Sequence, residues 1–125
     1  MFEHEIILRR ITWWLKKIQI SLDVVSTVAG GAATECYGVV GMASQKKLKD
    51  GFYELLKKEN YSKGIIASDG ETGLILDLYI ILGYGIKINE ILVEVQKKVK
   101  YVVESTLDVK VEAVNVYVQG LRNID

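Results

Sequence analysis

The residues that could carry chemistry are few and far apart in this chain. His4 is the only histidine and Cys36 the only cysteine. A soft-metal site or a Cys-His dyad needs several such groups converging, and a Ser/His/Asp triad needs a well-held histidine. His4 lies beside Glu3 and Glu5 at the chain start, where a solvated side chain is expected. No G-x-x-x-x-G-K-[ST] or G-x-G-x-x-G pattern is present to cradle phosphate. Gly83-Tyr84-Gly85 offers only a G-x-G at a strand-to-helix turn, which reads as two residues permitting turn dihedrals. No catalytic residue, cofactor site or metal site is therefore expected.

The polar residues that do share a position in the pattern are Asp77 and Asn115. Each falls near the middle of a strand, on the less aliphatic face, with Tyr79 and Tyr117 two residues further on. Without a neighbouring histidine or lysine they make poor catalysts. Their types suit mutual hydrogen bonding, and tyrosines are enriched as interface anchors. Asp77, Tyr79, Asn115 and Tyr117 form the candidate interaction face. A second candidate contact is Trp13-Trp14. Ile7, Leu8, Ile11, Trp14, Leu15 and Ile18 gather on one side of a helical wheel, with Arg9, Arg10, Lys16 and Lys17 away from it. Such a segment suits packing on a partner subunit or on its own domain, and its Trp and basic residues also suit a membrane interface.

The elements that must position these residues follow from spacing. Ser21 is a natural N-cap, and Val24, Val25, Val28, Ala29 and Ala32 recur at helical intervals, so a helix is expected over 22–34. The small residues of AGGAATECYGVVGMAS, Ala29 to Ser44, then lead into a short strand over 37–43. From Gln45 to Lys58 the spacing of Leu48, Phe52, Leu55 and Leu56 predicts a short or interrupted helix, weakened by Gly51. Two strands, 64–68 and 74–82, flank the hairpin signal DGETG. In the second, Leu74, Leu76, Leu78, Ile80 and Leu82 oppose Ile75, Asp77, Tyr79 and Ile81. A long amphipathic helix over 89–105 and a strand over 110–119 complete the chain, with a short strand at Ile18 to Ile20 before the first helix.

The order is β-α-(β)-α-β-β-α-β: an α/β (α+β) two-layer sandwich with a mixed β-sheet and helices mainly on one face. Residues 17–125 form one domain, and 1–16 an amphipathic extension. Both sheet faces carry apolar groups while only about three helices are available to cover them. Self-association accounts for that surplus. So does an N-terminal segment folded over the second face.

Composition narrows the function further. Sixteen Lys and Arg balance sixteen Asp and Glu, so net charge argues for neither nucleic acid nor an anionic surface. Lysines 46, 47, 49, 57, 58 and 63 are interspersed with Asp50, Glu54 and Glu59. A lone cysteine with no cation in its flanks fits a reducing cytoplasm. No uninterrupted aliphatic run exceeds three residues, as at Ile6 to Leu8, which fits neither a signal peptide nor a membrane span.

From Lys17 onward the chain resembles the alkaline shock protein 23 family of Gram-positive bacteria, closest to its short single-domain members. The residues that carry this are IQIS at Ile18 to Ser21, VAGGAATECYGVVGMAS at Val28 to Ser44, DLYIILGYG at Asp77 to Gly85, VQKKVKYVVE at Val95 to Glu104 and VNVYVQGLR at Val114 to Arg122. The resemblance implies a small cytoplasmic protein linked to envelope stress, without established catalysis, held at the membrane in some members by a partner protein. Relatives have also been linked to lipid synthesis. The Trp13-Trp14 segment departs from the family's pattern. Taken together, a non-enzymatic, self-associating scaffold or regulator at the inner face of the membrane is expected. Two other readings stay open: a nucleic-acid-binding module using the Lys46 to Lys63 region, and a small-ligand or acyl-group sensor with a closed apolar pocket near Gly83 to Gly85.

Overall fold

The first of the described helices, α1 (Leu22–Thr34), begins where the Ser21 hydroxyl accepts a hydrogen bond from Val24 N at 3.2 Å, and Asp23 lies in its first turn, favourable to the helix dipole. The structure is a computed structural model and describes residues 21–47 and 53–122. Strands β1 (Val39–Lys47) and β2 (Tyr53–Leu55) follow, then a 3-10 helix (Lys58–Gly64) and the hairpin of β3 (Ile65–Asp69) and β4 (Leu74–Gly83). Helix α2 (Ile88–Leu107) and β5 (Val111–Arg122) close the order. The expected strand at Ile18 to Ile20 and the extension 1–16 lie outside the described residues.

The two-layer α+β architecture and mixed sheet agree with the sequence reading. Helices α1 and α2 share one core with the sheet, formed by Val25, Ala29, Ala32 and Ala33 of α1, Val95, Val99 and Val103 of α2, and Leu74, Leu76, Leu78, Ile80 and Leu82 of β4. A departure falls between Gln45 and Lys58, and the 3-10 helix that follows it was not expected either. Over Gln45 to Lys58 the spacing suggested a helix, yet β1 runs on to Lys47 and β2 pairs antiparallel with it, Ala43 opposite Leu55. Leu56 N then donates to Met42 O at 3.0 Å. Pairing with a strand already placed in the sheet outweighs a helical pattern interrupted by Gly51.

Strand β4 organises the sheet. Along one edge β5 runs parallel to it for its full length, from Leu74 opposite Val111 to Gly83 opposite Arg122. The other edge is divided: β3 takes the Leu74–Leu78 half and β1 the Ile80–Leu82 half, both antiparallel. The DGETG connection is fastened from β5. Glu112 Oε1 accepts from Thr72 Oγ1 at 2.9 Å and from Thr72 N at 3.3 Å, and Gly70 N donates to Gly73 O at 2.7 Å. The turn into β5 is held similarly, since Asp108 adopts the left-handed φ of 52° and Glu104 Oε2 accepts from Val111 N at 3.0 Å.

The small residues at the end of α1 are a packing joint. Ala29 and Ala33 are fully buried, and a side chain on Gly30 would meet Ile65 Cδ1 at 3.3 Å. Gly38, with φ of 91°, turns the chain into β1; a Cβ there would lie 2.8 Å from Ile86 Cδ1 and 3.1 Å from Ile91 Cδ1. Its carbonyl receives Gly83 N at 2.9 Å, which ties the joint to the end of β4. Gly85, with φ of 78°, meets no other atoms within 4 Å of a built Cβ, so it serves turn geometry alone.

Candidate interaction face

Alternation along β4 sends Leu74, Leu76, Leu78 and Ile80 to the helices and turns Ile75, Asp77 and Tyr79 to the opposite side, where they are half-buried. Parallel pairing with β5 then fixes their neighbours: Asp77 stands opposite Asn115 and Tyr79 opposite Tyr117. Asn115 Nδ2 donates to Asp77 Oδ1 at 2.9 Å. The rings of Tyr79 and Tyr117 stack with centroids 5.0 Å apart and planes 15° from parallel. All four residues singled out in the sequence therefore meet on the sheet face opposite the helices. Ile66 of β3, opposite Asp77 on the other edge, adds a half-buried aliphatic neighbour.

Electrostatics on this face are mild. Tyr79 is pushed above the ordinary tyrosine value by burial first, then by the nearby Asp77 carboxylate and by Tyr117. A phenol held in its neutral form is a hydrogen-bond donor and stacking surface, with little capacity as a base at neutral pH. Asp77 already accepts from Asn115. The face can pack, stack and hydrogen-bond; it offers no nucleophile.

A second concave region, which the sequence reading does not single out, surrounds the joint between α1 and β1. A cleft of about 250 Å³ is lined by Glu35, Cys36, Tyr37, Ile91, Glu94 and Lys98. An adjoining, more open one of about 610 Å³ is lined by Tyr37, Asn89, Glu90, Ile91, Val93 and Glu94. Lys98 Nζ pairs with Glu35 Oε2 at 3.6 Å across it. Cys36 Sγ faces Ala32 O at 3.6 Å, and burial pushes its thiol above 9.0; Lys98 pulls it down, while Glu94 and Glu35 push it up. That environment keeps the thiol protonated and unreactive. The signal in the sequence was Tyr37, an exposed aromatic directly after the small-residue run. Gly83, Tyr84 and Gly85 line neither of these two clefts.

Trp13 and Trp14 lie outside the described residues, as does part of the Lys46 to Lys63 segment; Lys57, Lys58 and Lys63 are exposed. Among the described residues no group of three or more His, Cys, Asp or Glu is arranged to hold a metal ion. No helix among them is long and apolar enough to cross a membrane.

Residues 12–123 match the family model described as Asp23 family, cell envelope-related function. The chain belongs to the Asp23 family. That is the alkaline shock protein 23 family indicated by the motifs, and it makes the function of this Asp23-family chain cell envelope-related. It is 51% identical over 107 residues to the "Uncharacterized protein YloU" of Bacillus subtilis (strain 168), covering 85% of this chain and 88% of the relative. It is 47% identical over 105 residues to the "Uncharacterized protein Spy1614" of Streptococcus pyogenes serotype M6, covering 84% and 87%. A more distant Bacillus subtilis relative, "Uncharacterized protein YqhY", is 25% identical over 108 residues, covering 86% of this chain and 78% of the relative. No solved structure matches the chain.

Proposed function

We propose that this Asp23-family protein is a non-enzymatic scaffold or regulator of the cell envelope, working from the cytoplasm through self-association and protein partners. The observation that carries the proposal is the open sheet face. Two stacked tyrosines flanked by a hydrogen-bonded Asp77–Asn115 pair and by half-buried Ile66 and Ile75 form a surface that has the composition of an interface and no reacting group. Family membership supports the envelope connection. A membrane-anchored protein partner, with Trp13 and Trp14 as further contacts, extends the same proposal.

The test compares the wild-type chain with Tyr79→Ser and Tyr117→Ser by light scattering across a concentration series, and by affinity capture from the native cell. The expected result is an assembly and a captured envelope protein that both weaken in the variants. A wild-type chain that stays monomeric and captures nothing from its own cell removes the scaffold reading. Salt-dependent RNA binding by the purified chain would favour the nucleic-acid module instead.

A further inference from the structure

Among the described residues, strand β5 has one unpaired edge. Among the described residues it pairs with β4 alone, and its polar groups can be sorted by direction. Gln96 of α2 donates from Nε2 to Val114 O at 2.9 Å, so Val114 points its backbone groups away from β4. Strand alternation gives Val116 and Val118 the same outward direction, between the register shifts that bracket this segment near Glu112 and Gln119. Gln96 thus satisfies the carbonyl of the first of three outward-facing positions, and among the described residues the outward N–H and C=O of Val116 and Val118 have no backbone partner.

An exposed strand edge is a template for another strand, and proteins usually blunt it with lysine, proline or inward charge. Here Ala113 to Gln119 contains no charged residue, and the whole chain contains no proline. We propose that the edge is taken by a second copy of this chain, β5 against β5 antiparallel, about a two-fold axis at Tyr117. The inference rests on the self-association proposed above and specifies its geometry. In this register Val116 of one copy exchanges both backbone hydrogen bonds with Val118 of the other, twice, so the outward groups of both residues are used. Asn115 meets Gln119 of the second copy. Glu112 meets the opposite charge of Arg122. The Tyr117 rings of the two copies become cross-strand neighbours, which lengthens each Tyr79–Tyr117 stack into a row of four rings across the joined sheets.

Two measurements test this. Proline at position 116 removes an outward N–H and leaves the β4 ladder intact, so Val116→Pro retains its circular dichroism spectrum and weakens the dimer at least about tenfold. In a Cys36→Ser background, Tyr117→Cys gives a disulfide-linked dimer under air oxidation, because antiparallel partners of this kind bring Cα atoms to about 4.5 Å. Asn115→Cys alone does not, since its own copy lies about four residues further along the ladder. A dimer that survives Val116→Pro but is lost in Tyr79→Ser overturns the edge pairing and leaves the face-mediated scaffold standing. Cross-linking of Asn115→Cys in preference to Tyr117→Cys overturns the register. A chain monomeric at all concentrations, with no cross-link, removes the edge pairing, and the scaffold reading then rests on whether the chain captures a partner from its own cell.

Discussion

Two glycines seven residues apart, Gly31 and Gly38, should respond to alanine with opposite signs. Gly38 sits at φ of 91°, where an L side chain is strained, and a Cβ there meets Ile86 Cδ1 at 2.8 Å and Ile91 Cδ1 at 3.1 Å. The backbone contributes about 1–2 kcal/mol of strain. Displacing two isoleucine tips, which are flexible, adds roughly another 1 kcal/mol. Gly38→Ala should therefore destabilise by about 2–3 kcal/mol. For 125 residues the unfolding entropy is about 0.26 kcal/mol per K, so Tm falls by roughly 8–12 °C. Gly31 is helical and a Cβ there meets nothing within 4 Å, so Gly31→Ala should stabilise by about 0.5–1 kcal/mol, raising Tm by roughly 2–4 °C. Thermal unfolding followed by circular dichroism reads both. A Gly38→Ala protein at least as stable as wild type would refute the account of the joint, whatever Gly31→Ala does.

The remaining expectations concern the open face and the cleft. Asn115→Ala leaves Asp77 without its donor on a partly solvated surface and should cost about 0.5–1.5 kcal/mol by urea unfolding; a double-mutant cycle with Asp77→Ala should then show positive coupling. Tyr79 holds its proton to higher pH than an unfolded tyrosine near 10.0, so the native state binds more protons there and stability should fall as pH rises through about 10. Ultraviolet titration should show a late tyrosinate component that Tyr79→Phe removes and Asp77→Asn moves down. The Cys36 thiol, raised above 9.0 by burial, should alkylate more slowly with iodoacetamide at neutral pH than an unfolded control. Lys98→Ala should slow it further and Glu94→Gln quicken it, and fast labelling of the native chain would refute the assigned environment.

Helix α1 was legible to its ends because its signals are local: the Ser21 cap, valines and alanines at helical spacing, and a tight glycine-bearing turn. Strand β4 was equally clear, since leucine and isoleucine alternate with its other residues from Leu74 to Ile80 right after a hairpin signal, a period that a helix does not share. Between Gln45 and Lys58 the described ends were misread because Gln45 to Lys47 continue β1 and Tyr53 to Leu55 pair with it, a partnership that the local pattern does not mention. For the candidate face, alternation put Asp77 with Tyr79 and Asn115 with Tyr117. It did not pair the two strands with each other. That pairing depends on a parallel crossover through α2 and on register shifts near Glu112 and Gln119, each of which changes the count by one residue. The cleft around Cys36 and Tyr37 was missed for a related reason: its walls come from the end of α1 and the first half of α2, and only the folded α1–α2 contact brings Lys98 to Glu35.

Because one edge of β4 is divided between β1 and β3 while β5 follows the whole of the other, no pair of strands can peel away without breaking bonds to β4. Its backbone amides should be among the last to exchange with deuterium, opening only when the molecule unfolds as a whole. The strand also serves both regions at once, with Asp77 and Tyr79 along its length and Gly83, at its end, tied to Gly38 beside the cleft. Anything that clamps the tyrosine row should slow exchange at the far joint, and deuterium uptake would record an occupant of the open face without labelling that face at all.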